Sequence, residues 1–316
     1  PMLESLDLYR AKSGQEIVNE QTYSFLDRGD REVVIRPEMT PSVSRMVAKK
    51  RNLLSYPLRL YSIPNLWRYE RAQRGRFREH WQLNVDLFGV SGIEGEAELL
   101  LLVNRLFKNF GASQKMYEIH ITSRKLMDYL TYQVLNLGKE DSIKLVKLLD
   151  RKNKLSSSEF DQELNSIKAI SNPKLVHEYL NMNLANPSSE FASHPSIKEL
   201  KILLSEMNLL GINNVVFDPG IMRGFDYYTD IVFEVVDLDK ENNRSMMGGG
   251  RYDGLVGLFG VENLPVVGFG LGDVTMENFL ISHNLMPKLN FPTELAVLSL
   301  TDNILEINKL LESLRQ

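Results

Sequence analysis

The sequence predicts an α+β protein: a sheet built largely from hairpins and flanked by helices, interrupted by a helical insertion and followed by the start of a further α/β unit. Three observations predict it. Segments 58–70 and 81–89 alternate apolar and polar residues on either side of a turn at Gly75. Over 136–212 the strand texture gives way to lysine, leucine and serine at helical spacing, and strands return afterwards. With 43% apolar and 25% charged residues in 316, the chain has an ordinary globular composition and the length for two or three domains.

Element by element, a β-branched strand at 33–35 enters Arg36-Pro37-Glu38, where proline keeps the preceding residue extended. Thr40-Pro41-Ser42 then starts a helix over 41–50. After the hairpin, 94–110 has helical spacing ended by Gly111, and 117–121 reads as a strand. The insertion is broken at Asn172-Pro173 and Asn186-Pro187. Strands follow at 215–218 and 231–236, a glycine-rich turn at 248–250, and a strand at 266–272 that runs into a helix near 276–283. Beyond Pro292, a strand at 294–300 and a helix at 304–314 form a βα start with nothing to pack against. This divides the chain into a first core part (1–135), the insertion (136–212), a second core part (213–290) and a truncated start of another domain (291–316).

Composition excludes several function classes. No apolar run approaches the roughly 18 to 20 residues that cross a bilayer. Zero cysteines exclude disulfides, thiolate nucleophiles and thiolate metal sites, which suits a reducing cytoplasm, and the five histidines are too scattered to suggest a metal site. No leader pattern follows Pro1, and a start at proline suggests that upstream residues are missing. The net charge of −4 gives no global attraction to DNA or to an anionic membrane, so a polyanion must meet a local basic site.

The hairpin supplies one. Between Trp67 and His80 five arginines (68, 71, 74, 76, 78) face two glutamates (70 and 79). Guanidinium forks suit phosphate oxygens, and Arg68 and Glu70, two apart on a strand, share one face. A salt-bridged solvent-facing hairpin is the plainer reading, but Trp67, Tyr69, Phe77, His80 and Trp81 add flat rings that suit a purine. Basic residues 144, 147, 151, 152 and 154 read as a solvated helix face, because the insertion balances ten basic against ten acidic residues. Gly268 to Gly272 lacks the G-x-G-x-x-G spacing of a dinucleotide loop.

In order, Arg36-Pro37-Glu38-Met39-Thr40, Arg68-Tyr69-Glu70-Arg71, Gln82-Leu83-Asn84-Val85-Asp86, Arg223-Gly224-Phe225-Asp226-Tyr227-Tyr228 and Gly249-Gly250-Arg251-Tyr252-Asp253-Gly254 resemble the histidyl-tRNA synthetase family from Pro1 to about Pro287. The resemblance implies a class II synthetase core, an antiparallel sheet flanked by helices, and a ligase that joins L-histidine to tRNA(His) using ATP with Mg²⁺. It also implies a cytoplasmic homodimer and a C-terminal anticodon-binding domain that breaks off at Gln316. Carried over by position, Glu38, Thr40 and Gln82 would hold the α-amino group. Asp86, Tyr227 and Tyr228 would surround the imidazole. Arg68 would bind the α-phosphate, Glu70 the adenine amine, Arg76 the far phosphates, with His80 beside the nucleotide, and Arg223 would be the catalytic arginine between carboxylate and α-phosphate.

Taken singly, each of these residues has a common structural explanation, a helix N-terminal acid for Glu38 or a core tyrosine for Tyr228. Only joint placement outweighs it. One departure stands out: the third class-defining motif normally ends in Glu-Arg, and Val274 and Thr275 occupy those places. Compensation by Arg251, weaker ATP binding, and a non-catalytic relative that senses histidine for a partner enzyme are the open alternatives. A nucleic-acid-binding module without catalysis is the third class of reading. The otherwise complete residue set favours the enzyme.

Overall fold

The computed structural model describes residues 1–10, 18, 20–70, 77–222, 228–242, 245–288, 295–298, 300 and 302–314. They fall into two units, Pro1–Leu285 and Met286–Gln316.

In the larger unit, short strands β1 (Leu3–Ser5), β2 (Tyr23–Leu26) and β3 (Glu32–Ile35) form a sheet in the order β1-β3-β2. Only β3, with its β-branched Val33, Val34 and Ile35, was expected from the sequence. Buried Glu4 on β1 accepts from Ser42 Oγ at 2.8 Å and Arg45 Nη2 at 2.9 Å, fastening this sheet to the helix Thr40–Lys50. Proline in the first turn of that helix loses no hydrogen bond.

The main sheet contains β4 (Leu58–Ser62), β5 (Asn65–Trp67), β6 (Glu79–Phe88), β7 (Tyr117–Ser123), β8 (Val215–Phe217), β9 (Ile231–Asp237), β10 (Ser245–Arg251) and β11 (Val266–Gly272). Its order is β4-β6-β11-β10-β9-β7-β8, with β5 also pairing β6; the pairs are antiparallel except β7 with β8. The expected hairpin is therefore β4 and β5 against β6. Its arginine-rich tip, with Arg71, Arg74 and Arg76, lies outside the described residues.

One face of this sheet is apolar. Val85, Leu87, Val267, Phe269 and Leu271 join Leu100, Val103 and Phe107 of the helix Glu94–Asn109 in the largest core cluster. Between β7 and β8 the chain forms helices Lys139–Asp150, Ser157–Ser166, Lys174–Leu180, Ser189–Ala192 and Pro195–Leu209. A capping box at Ser156 and Glu159 starts the second of these. Lys144 pairs with Asp141 at 2.7 Å and Arg151 pairs with Glu163, as befits a solvated face.

Three expectations need correction. The strand expected over 58–70 is broken at 63–64 and ends at Trp67, and Glu70 N–H donates to the Arg68 carbonyl in a turn, so Arg68 and Glu70 do not share a strand face. Gly248, Gly249 and Gly250 do not form a turn; they lie inside β10, hydrogen-bonded on both sides. Their value is close approach rather than bending. A Cβ on Gly249 would lie 2.4 Å from the Gly268 carbonyl oxygen and 2.5 Å from the Phe233 ring. In the smaller unit, 295–298 carry no strand, whereas the helix Ile304–Leu314 forms as expected. Leu295 and Leu298 are exposed there, and a strand without a ladder partner has nothing to stabilise it.

Candidate active site

Opposite the apolar face, the centre of the main sheet is stripped of side chains. Gln82, Asn84 and Asp86 alternate onto this face of β6 and lie opposite Gly272, Gly270 and Gly268 of β11. Gly270 and Gly268 are in turn opposite Gly248 and Gly250 of β10. The result is a floor of bare backbone, walled by polar side chains from β6.

Two cavities open on this floor. The smaller, of about 480 Å³, takes Glu38, Thr40, Gln82, Asn84, Tyr228 and Tyr252 into its wall. The larger, of about 870 Å³, is lined by Glu70, Phe77, His80, Asp273 and Thr275 among others. Both are lined by Arg68, Gln82, Gly248 and Gly270, so they adjoin.

Glu38 and Thr40 are buried at the start of the helix Thr40–Lys50, where Tyr9 donates to the Glu38 carbonyl at 3.1 Å. Arg68 is held by its Nε, which donates to the Pro37 carbonyl at 2.8 Å. No other bond to its guanidinium occurs among the described residues, leaving the η nitrogens for a ligand at the junction of the cavities. Tyr23 of β2 packs edge-on against Trp67 and Tyr69, with ring centroids 6.2 and 5.4 Å away, and stiffens this segment from outside. Arg78 stacks 4.4 Å above the Tyr69 ring.

His80 is driven down to about 4 by burial and by the positive Arg68 nearby, so it is a neutral imidazole at pH 7. Tyr228 rests on Gly250, whose added Cβ would lie 2.7 Å from the Tyr228 ring, and meets Tyr252 edge-on at 6.3 Å. Asp86 is buried on the same face of the sheet as Gln82 and Asn84. Tyr252 donates its hydroxyl to the Asp86 carboxylate, and burial pushes that carboxyl up to about 7 despite this bond.

The structure thus brings together Glu38, Thr40, Arg68, Gln82 and Tyr228 on one cavity and Arg68, Glu70 and His80 on the next. Asp86 stands behind Tyr252 rather than among the lining residues of the smaller cavity. Arg76, Arg223 and Tyr227 lie outside the described residues. Asn84 and Tyr252 were not assigned from the sequence, although both sit inside quoted motifs. For Asn84 the signal was there: it shares the two-residue period of Gln82 and Asp86.

Arg251 does not stand in for the missing arginine of the third motif. Its guanidinium is sealed in the core, bonded to both Glu96 carboxylate oxygens at 2.7 and 2.6 Å and to the carbonyls of Val90 and Gly92 at 2.8 Å. Thr275 lines the larger cavity as a neutral residue, its hydroxyl turned to the carbonyls of Met246 and Gly272 at 2.9 and 3.0 Å. Among the described residues no group of three metal-ligating side chains occurs, and no helix is long and apolar enough to cross a membrane.

Comparison with known proteins agrees with this geometry. A family model described as histidyl-tRNA synthetase matches residues 1–273. The histidine–tRNA ligase of Leptospira biflexa serovar Patoc is 46% identical over 303 residues, covering 94% of this chain and 68% of the relative. That of Thermoplasma volcanium is 39% identical over 289 residues, 89% of this chain and 66% of the relative. The chain thus spans about two thirds of the length of these relatives. In fold it is similar to the histidyl-tRNA synthetase of Nostoc sp. PCC 7120, with a TM-score of 0.79 at 21% identity, covering 100% of this chain and 75% of that one. It is similar too to a structure from Bacillus halodurans C titled an ATP phosphoribosyltransferase regulatory subunit/histidyl-tRNA synthetase, with a TM-score of 0.74 at 24% identity over 88% of this chain and 73% of that one. With the sequence match running through nearly every described strand of the glycine-floored sheet, the chain belongs to the histidyl-tRNA synthetase family.

Proposed function

We propose that this chain activates L-histidine with ATP to histidyl-adenylate and transfers the histidyl group to the 3′ end of tRNA(His). The observation that carries the reading is the junction of the two cavities at Arg68, where an amino acid in one and a nucleotide in the other meet beside a guanidinium with unspent η nitrogens.

In this reading a histidine carboxylate oxygen attacks the α-phosphorus of ATP, a new P–O bond forms, and pyrophosphate leaves. No proton moves to the protein. What the chain supplies is in-line placement and compensation for charge on the pentacoordinate phosphorus. Arg68 does this from the segment just after β5, and Arg223 is its proposed counterpart from the segment before Tyr228. Arg76 is assigned to the far phosphates, Glu70 to the adenine amine, and neutral His80 to the wall beside the nucleotide. Glu38 sets a carboxylate against the substrate ammonium, helped by Thr40 and Gln82, while Tyr227, Tyr228 and the Tyr252–Asp86 pair belong to the imidazole end. Mg²⁺ would arrive with the triphosphate and would supply positive charge to the departing pyrophosphate. With Thr275 neutral and Arg251 sealed away, more of the charge compensation falls on Arg68 than in a chain carrying the usual motif-three arginine.

The proposed organisation is a core of 1–135 and 213–290, an insertion of 136–212 and the start of an anticodon-binding domain at 291–316, in a cytoplasmic homodimer. ATP–pyrophosphate exchange tests the function: it should depend on histidine and on no other amino acid, and Arg68→Ala should abolish it. Histidine binding without any exchange would favour the histidine-sensing alternative.

A further inference from the structure

The segment that carries Arg223 has both of its ends fastened to one stretch of chain, 120–125. At the entrance, just after β8, the Asp218 N–H donates to the Ile121 carbonyl at 2.9 Å, and Asp218 Oδ1 accepts the Gly220 N–H at 2.8 Å in an Asx turn. At the exit, just before β9, Asp230 is buried. Its carbonyl accepts the Arg124 N–H at 2.8 Å, its Oδ1 accepts the Ser123 hydroxyl at 2.9 Å, and Lys125 pairs with its other carboxylate oxygen.

His120 completes the entrance. Its Nδ1 lies 2.9 Å from Asp218 Oδ2 and its Nε2 lies 3.1 Å from Glu118 Oε2, so the half-buried ring is held between two carboxylates. A neutral imidazole has one N–H and would turn a bare nitrogen towards one of them, whereas an imidazolium donates to both. Burial disfavours the charged ring, but the bonds and charges of Asp218 and Glu118 outweigh it and hold His120 above the ordinary imidazole value. Glu234 lies opposite His120 on β9, and Tyr179 and Lys152 are within electrostatic reach of Asp218. The same Glu234 is opposite Gly248 of β10, so His120 stands on the face of the sheet that carries the bare floor.

We propose that His120 is a positioning residue for the activation step: by bridging Glu118 and Asp218 with both ring N–H groups, it pins the entrance of the segment that carries Arg223. This rests on the reading above, in which Arg223 compensates charge at the α-phosphorus. His120 itself touches no substrate. When the ring loses its proton, one N–H is left for two carboxylates, and the charge that draws Asp218 is gone. The hold is therefore present at low pH and is lost as pH rises through the His120 titration. At the exit, Lys125 is raised above its ordinary value and keeps its proton over that range.

The test follows histidine-dependent pyrophosphate exchange of the full chain from about pH 6 to about pH 9, which spans the titration of a raised histidine. Hydrogen–deuterium exchange of 219–228 is read beside it at a single pH. Small displacements of a charge-compensating group slow chemistry steeply, so kcat should fall about tenfold as pH rises, with both KM values held within about twofold. His120→Gln should show the lower kcat at every pH, without the fall, and its 219–228 amides should exchange about tenfold faster. His120→Lys restores a cation between the two acids and should recover most of the activity with a flat profile. Glu118→Gln removes one of the carboxylates that favour the imidazolium and should move the fall to lower pH; it carries the test if the His120 variants fail to fold. A flat wild-type profile, wild-type kcat in His120→Gln, a fall that stays in place in Glu118→Gln, or slower turnover with 219–228 equally protected overturns the proposal. In a chain without any pyrophosphate exchange, faster hydrogen exchange in His120→Gln supports the positioning and removes the ligase reading, and unchanged protection overturns the positioning as well.

Discussion

Two glycines on the same face of β11, two residues apart, should respond to the same substitution in opposite ways. At Gly270 an added Cβ would lie 2.9, 3.0 and 3.2 Å from the three terminal atoms of Gln82. That is the far end of a flexible side chain, which can swing aside, so Gly270→Ala should change folding stability by no more than about 1 kcal/mol. It should, however, drive Gln82 from its place between the cavities. Losing one hydrogen bond to a charged group costs about 1.5–3 kcal/mol, or roughly 10- to 150-fold in kcat/KM for histidine. At Gly268 the Cβ would lie 2.6 Å from the Val85 carbonyl oxygen and 2.7 Å from the buried Asp86. Main chain in the middle of a sheet cannot step aside, and Gly268→Ala should lose about 1–3 kcal/mol of stability. Urea denaturation beside histidine-dependent pyrophosphate exchange reads both effects. A Gly270→Ala variant that is fully active, or as unstable as Gly268→Ala, would refute the assignment of Gly270 to the ligand floor.

Arg251 and Glu96 are buried together, so Arg251→Met strands a carboxylate in the core and should cost about 3–5 kcal/mol in urea denaturation, with most of it regained by adding Glu96→Leu. A single variant as stable as wild type would contradict the sealed pair. Asp86 titrates near 7 in the fold against an ordinary 3.8, because burial disfavours its charge. Between those values the folded chain keeps a proton that the unfolded chain has released, so this group lowers stability as pH rises through the window. Asp86→Asn should therefore gain on wild type from pH 4 to pH 7, by up to about 4 kcal/mol at roughly 1.4 kcal/mol per pH unit. Parallel stability profiles would show that Asp86 is ionised throughout.

Much of this site was legible in the sequence because its residues come in short local patterns. Arg68 and Glu70 announce themselves by charge and spacing, and Pro37 and Pro41 fix where β3 ends and the helix Thr40–Lys50 begins. The floor was legible only in part. The triplet at 248–250 suggests close approach, but the sequence gives no sign that Gly248 and Gly250 face Gly270 and Gly268, because that depends on the register of two strands. The reading of a turn failed for the same reason: glycine is the residue of turns locally, and only strand pairing on both sides makes it a floor.

The sequence by itself determined the type and order of most elements and the chemical kind of the cavity-lining residues, since period and charge are properties of neighbours along the chain. Tertiary structure alone decided which of those residues are available. Arg251 looked like a spare cation until Glu96, 155 residues away, was found to have spent it. Asp86, expected near the imidazole, accepts the Tyr252 hydroxyl and is not among the residues lining the smaller cavity. Asn84 has no role readable from the sequence, and only the fold shows that it is buried with its amide oxygen unpartnered. Availability is set by what packs on a side chain across the fold, and a one-dimensional pattern does not carry that information.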